Sequence, residues 1–436
     1  MTLREYAKLM NDTALQGSLS IEEYNRLYKP LLDGIQSTIP PMLFRYRSCN
    51  ELSLQALWDD KIWLSKGNVM NDDYDALLYF DKAKITAHVL QAINEFSRFA
   101  SGKVSWEELP QIVQYFFPRE VLCQMREAIA HITVGDMESY LRHFEAFSRN
   151  AIKAYSPKIS VLTQNTLKFA CFSDTITSAN MWGHYASSST GFSIGYNFRG
   201  FPCVDSVGEG NSESPTRCEL FPIIYQSKRY DATPYAEWLL ICSLVNDYFK
   251  TFSSQGNILD AAKILPCPDM LAPTKIMIHK STEWKSEHEW RLMGSFATPA
   301  LLSEEHTFVK KKACAIYLGR KISPIYARLL LDIAREKRIP VYKMFINANS
   351  RNYHLKPRCV FSPDGAEKVY PLTTAFLQVQ ITLYRTKMSL KPAMSQLSEN
   401  YDAAHNSMIY SNFLLVLHHS GTLITSNIKQ CVNDKN

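Results

Sequence analysis

Residues 1–35 place Leu3, Tyr6 and Leu9, and then Ile21, Tyr24 and Leu27, at helical spacing with polar residues between, and Pro40-Pro41 closes the segment. The period then shortens. Leu43 to Arg47 predicts a strand, Glu51 to Trp58 a helix and Lys61 to Ser65 a second strand, before turn residues at Gly67-Asn68 and Asn71-Asp72-Asp73. Over 82–155 the apolar positions return to helical spacing, as in Ile85, Val89, Ile93 and Phe96 and later Val121, Met125 and Ile129. From Thr166 the period becomes two: Leu167, Phe169 and Cys171 predict a strand. Ala179–Ala186 predicts a short helix, and Phe192, Ile194, Tyr196 and Phe198 a half-buried strand.

A polar loop is expected over 203–217, a strand over Phe221–Tyr225 and helix across 235–263, ended by Pro266 and Pro268. Trp284–Phe296 and Ala313–Leu318 read as strands. Ser323-Pro324 supplies an N-cap with proline at the first helical position, and Ile325, Leu329 and Ile333 line one face ahead of a strand over Ile339–Phe345. The last sixty residues are less patterned, with a helix-like Thr373–Leu383 and a strand-like Phe413–Leu417. The expected fold class is α+β: a mixed β-sheet core over 41–81 and 156–350, interrupted by a helical insertion at 82–155 and flanked by a helical extension at 1–40 and a C-terminal extension at 351–436.

Composition narrows the class. With 436 residues, 46% hydrophobic, 12% aromatic and 21% charged, and only 16 Gly and 20 Pro, the chain is globular, not disordered or collagen-like. A formal charge of +6 is too mild to demand a nucleic-acid partner, and Lys310-Lys311-Lys312 reads as a solvated edge. Ten scattered cysteines form no CxxC pair and suit a reducing compartment, with Cys171 and Cys314 inside apolar runs. Without a signal pattern or an apolar run of spanning length, a cytoplasmic protein with no membrane partner is expected.

Familiar chemical motifs fail on context. Gly191-Phe192-Ser193-Ile194-Gly195 spells G-x-S-x-G, yet Ser193 lies inside period-two alternation where a nucleophile needs a sharp strand-to-helix turn. Gly208-x-Gly210 lacks its third glycine, and the histidines, including the adjacent His418-His419, show no zinc spacing, so no metal is expected. More informative is Lys280 to Leu292. If 284–291 is a strand, Lys285, Glu287, Glu289 and Arg291 share one face, with the two carboxylates about 7 Å apart, and Trp284 and Trp290 anchor the other. On pattern alone the same face also fits a solvated surface in which Lys285 and Arg291 neutralise the acids.

These segments, taken in order, resemble an uncharacterised bacterial family, a domain of unknown function. The residues that carry the resemblance are Arg45-Tyr46-Arg47, Leu64-Ser65, Asn71-Asp72, Cys171-Phe172-Ser173, Met181 to Ala186 with Gly191, Glu287 to Arg291, and Ile316 to Gly319, across roughly 43–346. Asp73 stands where the family usually has proline. The arrangement is further similar to the arginine, serine and glutamate plan of ADP-ribosyltransferases. That similarity implies catalysis by Glu289, with Glu287 orienting the acceptor, and NAD held by Arg45 and Arg47 and lined by Asn71, His184, Tyr185 and Ser189. NAD is then a consumed substrate and no cofactor is tightly bound. It also implies a macromolecular acceptor, protein or nucleic acid, and an antitoxin or defence partner, in a toxin or anti-phage setting. Two alternatives stay open: a non-enzymatic sensor or interaction protein in which Met181, Trp182 and Tyr185 only pack, and a metal-dependent nuclease using Asp72, Asp75 and Glu289.

Overall fold

Among the described residues the strands run β1 (Leu43–Arg47), β2 (Lys61–Lys66), β3 (Lys168–Ser173), β4 (Phe192–Tyr196), β5 (Cys203–Gly208), β6 (Thr216–Pro222), β7 (Ile224–Gln226), β8 (His279–Ser281), β9 (Glu289–Gly294), β10 (Thr307–Lys310), β11 (Ala315–Leu318), β12 (Val341–Ile346) and β13 (Leu355–Phe361). The computed structural model describes residues 1–365 apart from 111–112, 115–118, 120–121, 124–125, 128–133, 201–202, 209–215, 253–264 and 295–306. They fall in one compact unit, Met1–Val369. A second unit, Tyr370–Asn436, lies outside the described residues, as do the expected elements Thr373–Leu383 and Phe413–Leu417 and the pair His418-His419.

The expected α+β class holds: helices accompany one large mixed sheet, antiparallel except where β11 pairs β12. Strands β13-β12-β11-β4-β1 form an open wing. Beyond it β3 pairs β2, β2 pairs β10, β10 pairs β5, β5 pairs β6, β6 pairs β9, and β9 returns to β3, so six strands close into a ring. Closure removes two sheet edges that would otherwise stand open.

The wing meets the ring on β3, and the junction is thin. One edge of β3 is paired along its length with β9. On its other edge β1 contributes a single pairing, Phe44 with Ser173, and β2 contributes two, through Phe169 and Lys168. Ala170, Cys171 and Phe172 therefore face a split between β1 and β2. That split is where the pockets described below form.

Local sequence explains the helices. Thr2 with Glu5 and Ser20 with Glu23 make capping boxes for Leu3–Asp12 and Ile21–Thr38, while Asn50, Asp81 and Ser178 cap Glu51–Trp58, Lys82–Ala100 and Ala179–His184. The expected Ser323 cap and Pro324 start open the helix Pro324–Lys337. Helices Lys82–Ala100 and Val134–Ser160 pack with Thr233–Phe252 around Ile85, Val89, Ile93, Ile152 and Leu240, while Val121, Met125 and Ile129, expected at helical spacing, lie outside the described residues. No described helix is long and apolar enough to cross a membrane.

Four expectations need correction. The 203–217 segment is not simply a polar loop: its ends are strands β5 and β6, because both neighbours supply ladder hydrogen bonds that do not depend on side-chain polarity. The Trp284–Phe296 strand is also shorter than its alternation predicts. Thr282–Glu287 is a 3-10 turn, His288 adopts φ 50°, ψ 50°, and β9 starts only at Glu289. The strand expected over Phe221–Tyr225 is broken between β6 and β7, and Cys171 is half-buried, lining a pocket instead of joining the core.

Ser193 is fully buried within β4, in keeping with the rejection of a nucleophile there. Its neighbour Gly191 carries a steric demand: a Cβ at that position would lie 2.1 Å from the Arg47 carbonyl oxygen. Gly319 is equally tight, 2.3 Å from the Ser189 carbonyl, and its N–H donates to Gly191 O at 2.9 Å. The two glycines let three chain segments close up beside the end of β1. Gly191→Ala should lower stability by about 2 kcal/mol through overpacking, read as a lower urea midpoint with an unchanged slope; an unchanged midpoint would show that the β1 end yields.

Candidate functional site

A pocket of about 260 Å³ occupies the split, walled by β1, by β3 and by Tyr185, Lys280, Glu287 and Glu289. The 3-10 turn and the left-handed His288 bring the two glutamates there. A strand would hold them about 7 Å apart along one face; here the turn swings Glu287 back so that both carboxylates meet one ammonium. The conformation costs about 1 kcal/mol for a residue other than glycine. It is held from three sides: Ser173 Oγ donates to Glu287 O at 2.6 Å, Asp174 N to His288 O at 3.1 Å, and Glu289 N to Tyr225 Oη at 2.8 Å.

The site is a continuous polar chain. Asn71 Nδ2 donates to Tyr185 Oη at 2.8 Å, and Tyr185 donates to Glu287 Oε1. Lys280 Nζ donates to Glu287 Oε2 at 2.6 Å and to Glu289 Oε2 at 3.0 Å. Arg291 donates to both oxygens of Glu289 and, in a fork, to both oxygens of Asp75 at 2.7 Å each. All five ionisable groups are buried. The solvated reading of this face is therefore overturned, since only Lys285 among the four lies in solvent.

Three acids, Asp75, Glu287 and Glu289, face two cations, Lys280 and Arg291, which leaves one surplus negative charge. The acids share it unequally. Burial alone would raise Glu289, but Arg291 and Lys280 outweigh it and hold the carboxyl down to about 2. For Glu287 burial dominates and the proximity of Glu289 adds to it, so its pKa lies above the ordinary value despite Lys280. Asp75 is raised in the same way by burial, against the pull of Arg291. Lys280 is pushed down by burial yet held well above the usual ammonium range by Glu289 and Asp75. Burial, then Glu289, push the Cys171 thiol upward, so it stands in the wall as a neutral group.

The opposite wall carries the reverse charge. Arg45 is 6% exposed, its Nη2 donates to Trp63 O at 2.7 Å, and its Nε and Nη1 have no partner. Burial lowers its guanidinium to about 9, which leaves it cationic at neutral pH. Arg47, half-buried, lies two residues along the same strand face. Of the residues expected from sequence, Arg45, Arg47, Asn71, Tyr185, Glu287 and Glu289 line this pocket. His184 and Ser189 do not: His184 is exposed at the end of its helix, and Ser189 is spent on a left-handed run, Ser187 to Ser189, that returns the chain to Gly191. Lys280 and Asp75 complete the site without any periodic signal linking them to the glutamates.

The nuclease alternative finds no geometry here. Asp75 and Glu289 converge on Arg291, Asp72 Oδ1 accepts from Tyr74 N at 3.0 Å, and no group of three metal-type ligands occurs among the described residues.

Residues 181–292 match the family described as Protein of unknown function (DUF2971). The matched stretch holds Tyr185, Lys280, Glu287, Glu289 and Arg291, while Arg45, Arg47, Asn71, Asp75 and Cys171 lie before it. No curated protein and no solved structure matches the chain.

The depressed pKa of Glu289 ties stability to acid. The unfolded chain takes up this proton near 4.5 and the folded chain only near 2, so the contribution is present above pH 4.5 and lost as pH falls toward 2. It amounts to about 3 kcal/mol. Glu289→Gln should be less stable at pH 6 and should show a flatter fall in unfolding midpoint between pH 5 and 2.5; parallel profiles would contradict the ionised, doubly paired state.

Proposed function

We propose that the protein is an ADP-ribosyltransferase-like enzyme that consumes NAD to modify a macromolecule. One observation carries this reading: the pocket is bipolar, with a carboxylate pair of unequal acidity and surplus negative charge at one wall and two arginines at the other. Cleaving the bond between nicotinamide and ribose builds positive charge on the sugar, which a fixed carboxylate stabilises, while guanidinium groups suit pyrophosphate. Carboxylates whose environments push their pKa values apart are the usual basis of acid and base roles.

The geometry favours Glu287 over Glu289 as the group that meets the ligand. Both oxygens of Glu289 are taken by Arg291 and Lys280, so it acts as a fixed anion that positions its neighbours. Glu287 is approached by Tyr185 at one oxygen and Lys280 at the other. In the reaction the bond between nicotinamide nitrogen and ribose C1′ breaks and nicotinamide leaves neutral with the electron pair. The acceptor's nucleophile bonds to C1′, and its proton passes to Glu287. A raised Glu287 pKa suits that proton transfer.

Incubation with NAD labelled in the adenylate half should give labelled macromolecule and free nicotinamide. Glu287→Gln should lower nicotinamide release by about 10²-fold or more while leaving the unfolding midpoint close to that of the parent. Undiminished release in that variant would move the chemistry elsewhere. Absence of both products with the parent protein, across protein and nucleic-acid fractions, would favour the ligand-binding, non-enzymatic reading.

A further inference from the structure

Arg45 and Arg47 also line a second, larger pocket of about 740 Å³, reached from the other side of β1. Alternation along the strand puts Phe44 and Tyr46 on the face packed against Met181 and Trp182, so the two arginines stand on the opposite face. The two pockets share Arg45, Arg47, Ser65 and Val69, the residues at the split.

The rear pocket is basic throughout. Arg45, Arg47, Lys61, Lys66 and Lys168 line it, and no carboxylate does so among the described residues. Part of that charge is answered locally: Lys61 Nζ lies 3.8 Å from Asp59, outside the lining, and Lys168 Nζ donates to Thr307 Oγ1 at 3.3 Å. Arg45 is not answered, since its Nε and Nη1 are buried without a partner on a side chain more than nine-tenths buried. A buried guanidinium with two idle N–H groups calls for an anion or ordered water. The capped start of helix Glu51–Trp58 opens on the same space through Asn50, Leu52 and Ser53 and adds its positive end. Apolar surface is available too: Leu52 and Val69 are largely exposed at the rim, and Trp63 forms part of the wall.

We propose that this rear pocket binds a nucleoside di- or triphosphate, its phosphates on Arg45, Arg47 and the lysines and its base against Trp63, Leu52 and Val69. Arg45 with its idle nitrogens, beside Arg47 and Lys66 in a described lining that holds no carboxylate, suits a ligand carrying more than one negative charge, and the apolar rim suits a base. The site opens on the other side of β1 from the carboxylate pocket while sharing its arginines, and its occupancy is read by binding alone, whether or not NAD is consumed. Because the arginines are shared, a nucleotide seated here draws on the same two groups as a ligand in the front pocket.

Titration calorimetry of the full chain with ADP tests the assignment. ADP should bind, and adenosine about tenfold or more weakly, since each charge-assisted phosphate contact is worth about 1.5 kcal/mol or more. Lys66→Glu, at the exposed end of β2, should weaken ADP by about tenfold for the same reason, with Lys61→Ala in the same direction. Tyr185→Phe, confined to the front pocket, should leave ADP affinity unchanged. Equal binding of adenosine, or ADP affinity that survives Lys66→Glu and Lys61→Ala, would overturn the proposal. So would loss of ADP binding in Tyr185→Phe alone, which would place the nucleotide in front. Failure of NAD turnover with intact, Lys66-dependent ADP binding would leave the rear site standing and remove only the transferase reading.

Discussion

Arg291 has no exposed surface, and its guanidinium ties together segments that sequence order keeps far apart. It reaches Glu289 on its own strand, Asp75 in the loop after β2 and the carbonyl of Met277 at the end of helix Ala272–Ile278, and it stacks 4.3 Å above the Phe169 ring of β3. A buried cation of this kind is worth little unless every partner is in place, because its desolvation is offset only by complete pairing. Removing one carboxylate leaves a charge that neither water nor protein can satisfy. The ring of strands, the loop that carries Asn71 and the turn that carries Glu287 are therefore set by one shared condition.

That condition also explains the division of labour between the glutamates. Glu289 lies at the start of β9, where the ladder to β3 and β6 fixes its backbone and Arg291 fixes its side chain. Its depressed pKa is the electrostatic record of that double restraint. Glu287 sits one left-handed residue earlier, outside the ladder, on a 3-10 turn held by Ser173. Its carboxylate shares Lys280 but has no guanidinium of its own, so the surplus negative charge of the cluster settles there. Rigid support beneath a less restrained, less acidic group is the arrangement that proton transfer requires.

Much of the fold was legible from local period, and what was missed is non-local. The unit β11, Pro324–Lys337 and β12 follows directly from the Ser323-Pro324 cap and the stripe of apolar residues after it. Nothing in the segment 203–217 announces β5, because one of its partners, β10, lies about a hundred residues further along the chain and such pairing leaves no mark on local hydropathy. The site shows the same limit. Alternation over 284–291 put Glu287 and Glu289 on one side, and they do face one pocket, but through a turn and a left-handed His288 instead of a pleat. Asp75 and Lys280 carry no periodic signal at all; only the convergence of a loop and a short strand on Arg291 reveals them.

The two charged walls are carried by β1 and by the turn into β9, strands that both pair β3, yet the protein does not pair them. Lys280 and Arg291 are already shared among three acids, and Arg45 gives its hydrogen bond to Trp63 O, with Nε and Nη1 left idle. The opposite charges therefore stay apart although Arg45 and Glu287 line one pocket. A split that holds Arg45 with two idle nitrogens opposite an acid cluster with one surplus negative charge suits, on the proposed reading, a ligand carrying phosphates at one end and a developing cation at the other.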